Sequence, residues 1–97
     1  MEKVKHLPKE CPACNGALQI VSLRCKECNT RIEGDFSLPV ILRLPLPEQR
    51  FVMEFLKVSG SLKELASRMG LSYPTVRNRL DDIIALVEAL EKESVNP

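Results

Sequence analysis

Between residues 72 and 93 apolar side chains return at Val76, Leu80, Ile83, Val87 and Leu90, in steps of four, three, four and three. That spacing winds them onto one stripe and predicts a single helix over 72–93, with Ser72 as its cap and Pro74 in its first turn. A stripe of five packs either onto the chain's own core or, as a heptad seam, onto a second copy; Ile83, Val87 and Leu90 are the dimerisation residues of the second case. Upstream, Phe51, Val52, Phe55 and Leu56 mark a helix over 47–58 that begins on Pro47. After Gly60, the capping box Ser61-Leu-Lys-Glu64 opens a further helix with Leu62, Leu65, Ala66 and Met69 inward, and Gly70 closes it.

The first third has a different rhythm. Residues 17–21, 23–25 and 30–36 have strand-like content, whereas FSLPVILRLPLP over 36–47 holds three prolines and predicts neither helix nor central strand. Its apolar residues instead predict an extended arm, docked on the chain's own domains or across a dimer. The fold class expected is therefore α+β, mostly α. A small β-ribbon over 1–36 and a connector over 37–46 precede a three-helix domain over 47–97 whose last helix is long.

Chemistry enters with the cysteines. Cys11-Pro-Ala-Cys14 and Cys25-Lys-Glu-Cys28 are two C-x2-C pairs, and each such turn can aim two thiolates at one tetrahedral ion. Two turns close a site with no open position, which makes the metal structural: one Zn²⁺ per chain, with iron as the alternative in the same thiolate set. Asn15-Gly16 and Asn29 follow where the chain must turn sharply, and both residue types accept positive φ. Paired disulfides would need an oxidising compartment, and a redox C-x2-C would need a thioredoxin-like β/α context; neither is indicated. His6 completes no ligand set and is expected to be exposed.

Two short helices joined by Gly70-Leu71-Ser72 match the helix-turn-helix, whose second helix enters the DNA major groove by its first turns. With Val76 inward, Asn78 lies about 160° away, and Arg77 and Arg79 flank it at about 100° and −60°. Ser72, Tyr73, Thr75, Arg77, Asn78 and Arg79 are thus the candidate DNA-binding residues: an amide for a base edge between guanidiniums for phosphate or guanine. The overall charge of +1 hides a division: 47–80 carries +3 and 81–97 carries −4. A basic block facing a polyanion and an acidic end pointing away is the pattern expected of such a helix. Ordinary solvated surface, an Arg77–Asp81 pair at i,i+4 and a place for Arg79 at the boundary of the core are the alternatives.

The segment GSLKELASRMGLSYPTVRNRL, residues 60–80, resembles the DNA-binding helix-turn-helix of sigma-factor region 4 and of related response-regulator modules. Together with CPACNG, CKECNT, RIEGDFSLP and LPEQRFVMEFL, nearly the whole chain resembles the bacterial domain of unknown function 2089 family. That resemblance implies a zinc ribbon followed by a sigma-region-4-like helix-turn-helix and a role in transcription. Carried over by position, it assigns the ligands to Cys11, Cys14, Cys25 and Cys28 and the recognition segment to 72–79. Leu46, where a serine-like cap is expected, and asparagines rather than glycines after Cys14 and Cys28 depart from the pattern.

The expected function is a DNA-binding transcription regulator, cytoplasmic and working as a homodimer on double-stranded DNA. The alternative is an adapter that binds RNA polymerase or a sigma factor without reading DNA. No apolar run approaches 18 residues, and residues 1–9 form no signal peptide, so no membrane is expected. A closed metal site, an isolated histidine and no nucleophile beside a base argue against an enzyme.

Overall fold

The computed structural model describes residues 6–93. The chain divides into two units, Met1–Pro39 and Val40–Pro97. In the first, β1 (Ile20–Arg24) and β2 (Arg31–Phe36) form one antiparallel sheet. Its register pairs Ser22 with Glu33, Leu23 with Ile32 and Arg24 with Arg31, and a bulge lies between Ile20 and Ser22. The two strand-like stretches expected on either side of Ser22 are thus one continuous bulged strand, and Ala17 contributes only an isolated bridge to Glu10. None of residues 6–39 is buried. Leu18, Ile20 and Leu38, each half-buried, line a small apolar hollow with Leu7, Pro8 and Val21. A two-stranded hairpin with so little apolar cover does not stand alone in water.

The second unit holds α1 (Val40–Arg43), α2 (Leu46–Lys57), α3 (Leu62–Met69) and α4 (Tyr73–Glu93). Its core is Leu44, Phe51, Val58, Leu65, Ala66, Val76 and Ile83. The expectation of an extended arm over 37–46 is corrected: Val40–Arg43 makes a helical turn, and Leu44 is fully buried. The prolines permit this because they punctuate the turn rather than interrupt it. Pro39 precedes it, and Pro45 is the N-cap of α2, where its missing N–H is no loss. No side chain caps α2; the Pro45 carbonyl accepts from Glu48 N–H and Gln49 N–H, both at 3.0 Å. Gln49 Nε2 donates to Leu44 O at 2.8 Å and ties the approach segment to α2.

Capping residues set the other helix ends. Ser61 Oγ accepts from Glu64 N–H at 3.1 Å, but Ser61 N–H donates to Val58 O, so the capping box is made on one side only. Gly70 adopts φ 69° and ends α3, with Leu71 N–H returning to Ala66 O at 3.0 Å, a Schellman closure that a left-handed residue makes possible. Ser72 Oγ then accepts from Thr75 N–H at 3.3 Å. α3 packs on α4, and so does the single turn of α1.

The stripe on α4 faces this core. Val76 and Ile83 are 0% and 4% exposed, and Leu80, Val87 and Leu90 pack against the same cluster. Of the residues expected as a dimer seam, Ile83 is buried in this core, and Val87 and Leu90 are half-buried against it.

Cysteine knuckles and the edge of the helix-turn-helix

Each C-x2-C turn is held by the same backbone scheme. Cys11 N–H donates to Gly16 O at 2.8 Å and Asn15 N–H to Cys11 O at 2.7 Å; in the second turn Cys25 N–H donates to Thr30 O at 2.8 Å and Asn29 N–H to Cys25 O at 3.0 Å. Asn15 and Asn29 sit at φ 65° and 64°, the left-handed conformation expected of them. Backbone N–H groups also point at sulfur, Ala13 to Cys11 Sγ and Glu27 to Cys25 Sγ, each at 3.4 Å. A Cβ on residue 16 would stand 3.3 Å from Cys14 Sγ, so glycine there leaves the sulfur its room.

These bonds favour thiolate. The backbone N–H of Cys14, then that of Ala13, hold Cys11 below the ordinary thiol range, with the Cys14 side chain adding to them. For Cys28 the foremost cause is the Thr30 hydroxyl, 2.9 Å from Sγ, followed by the Thr30 backbone and the Cys25 side chain. Thr30 was not among the candidate residues; a hydroxyl two positions after the last cysteine was the available signal. All four cysteines are free thiols, Cys11 half-buried and the others exposed. The structure gathers them as two pairs. Among the described residues no three His, Cys, Asp or Glu side chains converge as one metal-holding group. Donor type, thiolate bias and the twin turns fit a thiophilic divalent ion. His6 is exposed, as expected.

The helix-turn-helix edge is built by α3, the Gly70 turn and the first turns of α4. Ser72, Tyr73, Thr75, Arg77 and Asn78 are exposed there. Their roles differ from a uniform reading surface. Ser72 is the cap, its Oγ also 2.8 Å from Thr75 Oγ1. Arg77 Nε stands 3.5 Å from Asp81 Oδ1, an exposed pair that costs little to open. Arg79 is half-buried, with its guanidinium carbon 5.2 Å from the Phe51 ring centroid. A cation over a ring face is worth about 0.5–1 kcal/mol at such a site. Arg68, on α3, is 3.4 Å from Glu54 of α2. Lys63 and Ser67 are exposed on α3 and were not among the candidates; the outward side of the helix before the turn was the signal for them.

No helix among the described residues is long and apolar enough to cross a membrane. No curated protein and no solved structure matches the chain. Two family models do match: residues 11–41 match the DUF2089 zinc ribbon, a span that contains all four cysteines, and residues 44–90 match the domain of unknown function (DUF2089)-HTH. The chain belongs to the DUF2089 family, with its zinc ribbon followed by its helix-turn-helix domain.

Proposed function

We propose that this protein is a DNA-binding transcription regulator that reads the major groove with the first two turns of α4. The observation that carries the reading is the exposed run of Tyr73, Thr75, Arg77 and Asn78 at the capped N-terminus of α4, directly after the α3 turn. Thr75 and Asn78 offer hydrogen bonds to base edges, and Arg77 offers charge to a phosphate. The likeness of residues 60–80 to sigma-factor region 4 supports the same placement. Asp81 and Asp82 limit how deep the helix can lie, because phosphate would repel them.

Residues of both knuckles, Cys11, Cys14, Cys25 and Cys28, would hold the ribbon's zinc, whose chemistry there is to join two thiolate pairs. The reading is non-enzymatic. Two copies on a palindromic site would double the phosphate contacts and the salt dependence with them. Ile83 is buried, so such pairing would draw on what Val87 and Leu90 leave exposed or on another surface.

One observation favours a second reading, an adapter that binds RNA polymerase or a sigma factor: Arg77 and Arg79 both have partners inside the chain. Titration of labelled duplex DNA at two salt concentrations separates the two. Salt-sensitive binding that falls when Arg77→Ala and Asn78→Ala are combined supports the regulator; binding that ignores both salt and these changes overturns it.

A further inference from the structure

Arg79 follows Asn78 directly, yet the two side chains go to different places. Asn78 is exposed, whereas Arg79 is half-buried over Phe51, a core residue of α2 that is 2% exposed. The hollow beside the pair, about 210 Å³, is lined by Pro47, Arg50, Glu54 and Met69, so α2 and α3 both border it. The carboxylate in that hollow, Glu54, is taken by Lys57 at 3.0 Å and Arg68 at 3.4 Å. The ring face is what remains for the Arg79 guanidinium. A planar cation suits it, since the ring quadrupole attracts the charge and the flat group can lie on the ring.

We propose that Arg79 is a positioning residue for DNA recognition: stacked on Phe51, it fixes the rotation of α4 about its own axis and contacts no phosphate. That rotation decides where Thr75 and Asn78 point. At about −60° from the core direction, a long side chain spans the boundary between α4 and α2 and resists turning either way. The proposal rests on the DNA-binding reading above. It narrows the reading edge to Tyr73, Thr75, Arg77 and Asn78 and gives the two flanking arginines different work.

The test uses the full chain and a duplex enriched by the wild-type protein from a randomised pool, titrated at several salt concentrations. Arg77→Ala is expected to flatten the slope of log K against log salt by about 0.9, the signature of one lost phosphate contact. Arg79→Ala and Arg79→Gln are expected to weaken binding about two- to fivefold at every salt concentration while keeping the wild-type slope. In NMR spectra of the free protein the Arg79 δ protons are expected upfield, shifted by the Phe51 ring current, and to lose that shift in Phe51→Leu. A slope flattened by either Arg79 change, or unchanged affinity in both, overturns the proposal, as do δ protons at ordinary positions. Absence of binding by the wild type is a different result: it removes the DNA-binding reading itself, and the positioning role falls with it.

Discussion

Arg43 and Glu93 are separated by 50 positions in the chain and meet at 3.1 Å, Arg43 Nη2 donating to Glu93 Oε1. The pair ties the single turn of α1 to the last turn of α4. Glu93 is 66% exposed, so the bond is screened by solvent and contributes little. The anchor is the next residue, Leu44, with no exposed surface. Leu44→Ala is expected to cost about 2–5 kcal/mol in urea unfolding. Arg43→Ala should cost far less, and less again at high salt. Equal effects of the two changes would show that the segment before α2 is a tether rather than part of the core.

Ile83 distinguishes core from interface. Ile83→Ala is expected to destabilise the helical unit by about 2–5 kcal/mol. The thermal midpoints of both the parent and the variant should not move with protein concentration through this residue, since its contacts are within one chain. A concentration-dependent difference between them would return the seam to an intermolecular role.

Ser72 separates folding from DNA contact. Ser72→Ala removes the acceptor for Thr75 N–H and is expected to cost about 0.5–2 kcal/mol. Ser72→Asp keeps an acceptor and places negative charge at the helix N-terminus, so stability should hold. On the proposed DNA-binding reading the same charge would face the phosphates, so DNA affinity should drop. Parallel thermal melts and duplex titrations check this; an Asp variant that binds as well as the parent would place Ser72 away from DNA.

Thr30 tunes the second knuckle. Thr30→Val takes away the foremost cause of the lowered Cys28 pKa. In metal-stripped protein, ultraviolet titration of thiolate should therefore show one cysteine moving up toward the ordinary thiol value. Below that value the parent carries more thiolate than the variant, so zinc competition assays near neutral pH should show weaker metal binding by the variant. Identical titration curves would mean that the 2.9 Å contact does not form in solution.

Glu54 gives a pH dependence of known sign. The Lys57 hydrogen bond, then the Lys57 charge and the more distant Arg68, hold its pKa below the ordinary 4.5. A carboxyl with a lowered folded pKa stabilises above the unfolded value, and that contribution is lost as pH falls through the folded pKa. Between pH values on either side of that range, the midpoint of Glu54→Gln should fall less than that of the parent. A parallel fall would show that the carboxylate adds nothing to the packing of α2 on α3.

Residues with a fixed local job were the legible ones. The cysteine spacing gave the two knuckles, Asn15 and Asn29 the left-handed turns, and Ser61, Gly70 and Ser72 the helix ends, because each acts on backbone within a few positions. What the stripe on α4 would meet was not legible. Periodicity fixes which side of a helix is apolar, but the cover came from α1 to α3 and from Leu44, in a segment whose prolines hid a helical turn. Where the Arg79 head group would lie was left open for a related reason. A helical wheel locates the Cβ, and the guanidinium ends several bonds away, on Phe51.

The first unit has no buried residue among 6–39, whereas the second has seven among its described residues, 40–93. The two halves therefore answer to different threats. Heat and urea attack the packed side chains of the helical unit, and, with zinc bound at the four cysteines as proposed, a strong chelator would attack the ribbon. After chelation, a protease is expected to cut within residues 6–39 and leave 44–90 as a resistant fragment. In a cell short of zinc, the same asymmetry would make the ribbon the part of the chain that sets its lifetime.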